Sequence, residues 1–330
     1  MEKAGSGKIL SAKRFRQDKL VVGDTGGLGK IRLRKHMDVE SGFAEIARHC
    51  VAQIDANRTQ WLEHDFTDGL HQMRVGLRQL RSALALFNSA LSLPDDIARE
   101  LAWLSSVLGP ARDWEVFSDS TLPLVVAGDS KPSEIISLQR AVAAIAAQKR
   151  QQTQAEVQTP RYLHLIRTLN LWLDTRGWRK RWVAEDSGLK PGLLQKPLAA
   201  FLEDGLAKRH HCLSRRGDKL DPTLPRSFHR LRIAVKRARY AAEFSRTFYA
   251  PKPMRRYLQR LSDLQDQLGA LNDLAVADTL LDELGGGESE TANSLRLGIA
   301  FVRGYYAALI QRKMENFLHF RLPGKLPALK

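Results

Sequence analysis

Cysteine is almost missing from this sequence: Cys50 and Cys212 are the only two among 330 residues. Two thiols cannot build a disulfide framework or a four-cysteine zinc site, so a reducing, cytoplasmic setting is the simplest expectation. No apolar run approaches the roughly 18 residues of a membrane span, and no membrane insertion is expected. The stretch Met1–Lys8 lacks the apolar centre of a secretory signal. Phosphate loops are also missing. Val21–Lys30 looks like one, but Asp24 stands where the loop needs glycine and Ile31 where it needs serine or threonine. Gly7-Lys8 fails in the same way, with Glu2 and Ile9 at those places. Finally, no convincing apolar–polar alternation marks a strand, which makes the expected class all-α.

What the chain does have is positive charge. Lysine and arginine number 52 against 36 acidic residues, a formal charge of +16. Such an excess attracts polyanions, whether nucleic acid, anionic membrane or polyphosphate, without choosing among them. An apolar content of 43% is enough for real cores.

Periodicity and punctuation divide the chain. Residues 1–35 are basic and aperiodic and are expected to form a flexible arm. Helices are expected from Val39 onward, with Thr67 or Asp68 capping the segment that follows and Gly109-Pro110 breaking or kinking another. Residues 185–197, containing Gly188, Pro191, Gly192 and Pro197, are the clearest linker. These marks give a first helical bundle over 36–184, a second over 198–320 and a tail over 321–330.

Two segments, one in each half, share a pattern. His71-Gln72-Met73-Arg74-Val75-Gly76-Leu77-Arg78-Gln79-Leu80-Arg81 and His229-Arg230-Leu231-Arg232-Ile233-Ala234-Val235-Lys236-Arg237-Ala238-Arg239 both read H-x-x-R-x-x-x-[RK]-x-x-R. Steps of three and four return to one side of a helix. Each segment therefore carries a stripe of one histidine and three cations beside an apolar face, over an axial distance of about 15 Å. Neither segment contains an acidic residue. The planar fork of arginine pairs bidentately with phosphate oxygens and stays charged, and such a length suits several consecutive phosphates. The candidate anion-binding set is His71, Arg74, Arg78, Arg81, His229, Arg232, Lys236 and Arg239. Arg209 and Arg216, in a second basic cluster, and Arg237, off the stripe, are lesser candidates.

A second motif is duplicated at nearly the same offset. Leu101 to Asp113 and Leu261 to Asp273 share L-x-x-L-x-x-x-L-G-x-x-[RN]-D. Two ordered matches imply two similar helical bundles packed as a pseudo-twofold pair. Asp113 and Asp273 are read as capping groups or partners of basic side chains, since no metal-ligand set recurs with them. His210-His211 are neighbours and make a poor metal pair. Trp61, Trp103, Trp114, Trp172, Trp178 and Trp182 are not interleaved with the basic motifs, as base-stacking platforms require, and are assigned to packing.

These motifs resemble the CHAD family, the conserved histidine α-helical domain, over roughly residues 36–320. The resemblance implies two four-helix bundles with internal twofold symmetry facing a basic groove or pore. It also implies binding of inorganic polyphosphate and association with polyphosphate granules through the residues named above. The tunnel triphosphatase domain carried by many relatives is not recognised in residues 1–35, which lack E-x-E-x-K, so no hydrolytic activity is carried over. The expectation is a binding protein with no catalytic residue, metal or cofactor. An accessory role in polyphosphate or triphosphate hydrolysis, and general binding of nucleic acid or other polyanions, stay open as alternatives.

Overall fold

The computed structural model describes residues 31–64, 68–126, 133–179, 192–284, 290–318, 320 and 322–329. Most of the expected arm, the first part of the expected linker and Trp182 lie outside them. The described residues form α1 (Val39–Glu63), α2 (Gly69–Phe87), α3 (Asp95–Val116), α4 (Ser133–Glu156), α5 (Pro160–Asp174), α6 (Leu198–Asp218), α7 (Pro225–Ser245), α8 (Pro251–Leu284) and α9 (Glu290–Leu318). No strand occurs among them, and the class is all-α.

Local chemistry explains most helix ends. Asp38 caps α1 by accepting from the Ser41 N–H at 2.8 Å. Pro160 and Pro225 open α5 and α7, where a missing N–H costs no hydrogen bond. Asp68 stands at the N-cap of α2 but makes no capping hydrogen bond with its side chain. Gly109-Pro110 does not end α3. The helix runs on to Val116, held by buried Leu104, Leu108, Ala111 and Trp114, and closes in a π-turn over Phe117–Thr121. Proline removes one intrahelical hydrogen bond, and packing on both sides outweighs that loss.

Helices touch in the same order in both halves. α1 packs on α2 and α2 on α3, as α6 packs on α7 and α7 on α8. Each of the first four helices also meets its counterpart: α1 with α6, α2 with α7, α3 with α8 and α4 with α9. The main core consequently crosses the chain's midpoint. Phe87 lies 5.4 Å from Phe43 and 5.0 Å from Phe201, measured between ring centres. A Cβ at Gly42 would fall 2.3 Å from a methyl carbon of Leu198, so any larger residue there would displace the Leu198 side chain that α6 seats against α1. A second core joins Trp114, Leu138 and Val142 to Leu274, Val302 and Tyr306.

The segments flanking the helices are packed more closely than their composition suggests. Leu33, inside the expected arm, is buried in the main core. At the end of the expected linker, the carbonyls of Leu194 and Lys196 accept from the Glu40 and Val39 N–H groups at 3.1 and 3.0 Å. Leu322, Leu326 and Leu329 in the tail pack against the core. Apolar residues decide these contacts and override the Gly, Pro and basic residues around them.

Tryptophan serves packing. Trp61, Trp114 and Trp178 are fully buried. Trp178 donates to buried Glu40 at 2.8 Å, and the same carboxylate accepts from Arg176 at 2.7 Å and from Arg179 Nε at 2.6 Å. Trp103 is covered by the Arg161 guanidinium, 4.3 Å from its ring centre.

Candidate anion-binding cleft

The contact of α2 with α7, and of α3 with α8, sets four helices around one cleft of about 340 Å³. His71, Arg74 and Arg78 enter it from α2, and Arg232 and Lys236 from α7. Both halves of the chain therefore contribute cations to a single site. This follows from sequence spacing: Met73, Leu77 and Leu80 on α2, and Leu231, Val235 and Ala238 on α7, are buried and fix the roll of each helix. α2 also lies close on α1. At Gly76 a Cβ would come within 2.9 Å of Ile54 Cγ1 and 3.3 Å of the Cys50 carbonyl oxygen.

Not every candidate arrives there. Arg81 is exposed one turn beyond Arg78 and donates to Ser105 Oγ at 2.8 Å. His229 is exposed on the first turns of α7 and does not line the cleft. Arg239 is 3% exposed and pairs with Glu243 at 3.1 Å, so it sits in the interior rather than on an open stripe. Arg209 donates to the Ala85 carbonyl at 2.8 Å, near the end of α2. Burial, and then the charge of Arg237, hold its pKa below the ordinary arginine value, which places Arg237 beside it and away from the cleft. Arg216 is half-buried on α6 and is also away from the cleft. His210 shares a hydrogen bond of 3.0 Å with the Tyr257 hydroxyl.

The second motif supplies what the stripes alone did not reveal. Arg112-Asp113 of α3 and Asn272-Asp273 of α8, the [RN]-D positions of both copies, all line the cleft. Arg74 interlocks the two motifs of the first half. Its Nη1 donates to the carbonyls of Leu108 and Gly109 at 3.1 and 2.7 Å, and its Nη2 lies 3.7 Å from Asp113 Oδ1. Asp113 is thus a partner of a basic side chain, and acidic groups stand within the basic cleft. Burial raises its pKa, Arg74 opposes the rise, Asp273 adds to it, and Arg232 and Arg112 oppose it again. The net result is a carboxyl above its ordinary range. Asp68 and Asp266 complete the acidic lining.

The chemistry on offer is multidentate recognition of an anion by guanidinium and ammonium donors, with carboxylates interspersed. Among the described residues, no group of three or more His, Cys, Asp or Glu side chains forms a candidate metal site. Among them, too, no helix is long and apolar enough to cross a membrane.

Comparison with known proteins agrees with this architecture. The family model of the CHAD domain matches residues 45–282. The solved CHAD domain of the plant Ricinus communis is 31% identical, with a TM-score of 0.73, over 90% of this chain and 96% of that one. PptA from Streptomyces chartreusis shares the fold at 15% identity, with a TM-score of 0.56, over 84% of this chain and 98% of that one. Among curated proteins none matches.

Proposed function

This chain belongs to the CHAD domain family, and we propose that its central cleft binds inorganic polyphosphate. The observation that carries the reading is the meeting of Arg74, Arg78 and Arg112 with Arg232 and Lys236 in one cleft. Phosphate oxygens accept charge-assisted hydrogen bonds from these donors, and displaced counterions add salt-sensitive affinity. A few phosphate units occupy the cleft, and the polymer continues over exposed Arg81 on α2. Bound in this way, the protein is directed to polyphosphate granules in the cytoplasm.

The cleft acts by binding rather than by hydrolysis. Phosphoryl transfer relies on carboxylates that hold a divalent metal. Here Asp113 is paired with Arg74 and feels Arg112 and Arg232 as well, and those positive charges oppose a second cation. Phosphate release measured over time with added Mg²⁺ or Mn²⁺ stays at background on this reading.

Polyphosphate, duplex DNA, RNA and heparin should be titrated at equal charge and moderate salt. Polyphosphate binds tightest if the reading holds. Equal affinity for all four leaves only general polyanion attraction, and a variant with Arg74, Arg78, Arg232 and Lys236 changed to Glu that still reaches granules removes the cleft as the address.

A further inference from the structure

The cleft is far less positive than its helix stripes. Five permanent cations line it, Arg74, Arg78, Arg112, Arg232 and Lys236, and four carboxylates, Asp68, Asp113, Asp266 and Asp273, stand among them. An incoming polyanion therefore meets nearly balanced charge, with Asp113 3.7 Å from Arg74, one of the arginines it must engage. Two responses are available. The carboxylates stay ionised and are repelled, or one of them takes a proton. We infer that polyphosphate binding in this cleft is coupled to proton uptake, and that Asp113, which shares the cleft with Asp273, is the group that accepts the proton. The inference rests on the polyphosphate reading and adds a pH dependence to it.

Geometry singles out Asp113. It lies on α3 between cations from both halves, beside Arg74 of α2 and within the field of Arg232 of α7 and Asp273 of α8. Its carboxyl is already above the ordinary range without ligand. A phosphate chain placed nearby raises it again, because a like charge disfavours the ionised form. The proton leaves a buffer acid and bonds to a carboxylate oxygen, and no other bond changes. Arg74 is then released from an ionic partner and keeps its charge for phosphate. The other titratable and charged groups lining the cleft with Asp113 are Asp68 at the N-cap of α2, His71 and Arg78 of α2, Arg112 of α3, Lys236 of α7 and Asp266 of α8. Of these, His71 carries a ring nitrogen that can also hold a proton, so its share must be separated.

Calorimetric titration of the full chain with long-chain polyphosphate, in two buffers of different ionisation enthalpy, counts the protons taken up. Long chains are chosen because only their terminal phosphates titrate near neutrality. Wild type takes up protons, and its affinity rises as pH falls toward the raised range of the Asp113 carboxyl. The gain is up to about tenfold for each pKa unit by which ligand raises Asp113. D113N takes up fewer protons, binds more tightly at neutral pH and has a flatter pH profile. D273N, a second route that leaves Asp113 in place, also lowers uptake because it removes the repulsion. Binding with the same uptake in wild type and D113N overturns the inference, as does uptake that disappears only in H71Q. Absence of any polyphosphate binding instead sinks the functional reading on which the inference stands.

Discussion

Arg74 donates to the Gly109 carbonyl at 2.7 Å, tying the first basic motif to the Leu108-Gly109 pair inside the next helix. With the Leu108 carbonyl at 3.1 Å and Asp113 at 3.7 Å, this side chain both lines the cleft and fastens α2 to α3. Arg74→Ala should therefore lose on two counts. Unfolding free energy falls by about 1–3 kcal/mol, the usual range for a lost charged hydrogen bond with its acceptors left behind. Polyphosphate affinity falls as well. Lys236→Ala, which removes another cleft cation, should also lower affinity. Paired melts and titrations of the two variants check this, and an Arg74→Ala variant that melts like wild type would contradict the double role of Arg74.

The sequence reveals the face of a helix more readily than what lies across from it. The stripes on α2 and α7 are legible because apolar positions fix how each helix rolls, and five of the eight main candidates reach one cleft. Arg239 shows the limit. Its angular position matches the stripe, but packing buries it against Glu243, one turn further along the same helix. Asp113 and Asp273 were visible as repeated letters. That they line the same cleft depends on the contact of α3 with α8, which no local periodicity encodes. The persistence of α3 through Pro110 has the same origin, since tertiary packing outweighs a local helix-breaking signal.

Arg239 makes a prediction of its own. Its side chain and that of Glu243 are 4% and 9% exposed. Removing one partner breaks a buried ion pair, which typically costs about 3–5 kcal/mol. Arg239→Ala should thus lower stability to urea sharply while leaving the affinity of the remaining folded protein for polyphosphate close to wild type. Replacing both residues, Arg239→Met with Glu243→Leu, should recover much of the loss, because the pair offsets little more than its own desolvation. A weakened affinity in the stable double variant would put Arg239 back among the ligands.

Glu40 sets an acid limit on stability. Burial alone would raise its pKa, but hydrogen bonds from Arg179 and Trp178, with the charges of Arg176 and Arg179, outweigh burial and hold the carboxyl below its ordinary value of 4.5. A depressed carboxyl contributes fully above the unfolded-state pKa, and the contribution is lost as pH falls through the folded-state value. Unfolding free energy measured in urea should therefore decline below about pH 4.5. Glu40→Gln should cost roughly 1.5–3 kcal/mol at neutral pH and show a shallower acid decline. Parallel pH profiles for wild type and variant would remove Glu40 as the source.

Salt dependence separates residues that meet phosphate from those that only add net charge. Each cation that neutralises a phosphate releases condensed counterion, and the slope of log affinity against log salt counts such contacts, at about 0.7 per contact on a single-stranded polyanion. Arg78→Gln and Arg232→Gln should each reduce the slope by roughly that amount, because both residues line the cleft. Arg216→Gln, which removes the same charge from half-buried α6 away from the cleft, should leave the slope unchanged. Arg81→Gln is the informative intermediate. It lies outside the cleft, exposed and bonded to Ser105, one turn past Arg78. A reduced slope in that variant, seen with long chains and absent with tripolyphosphate, would mark Arg81 as the first contact of the polymer beyond the cleft. An unchanged slope with both lengths would confine recognition to the cleft itself.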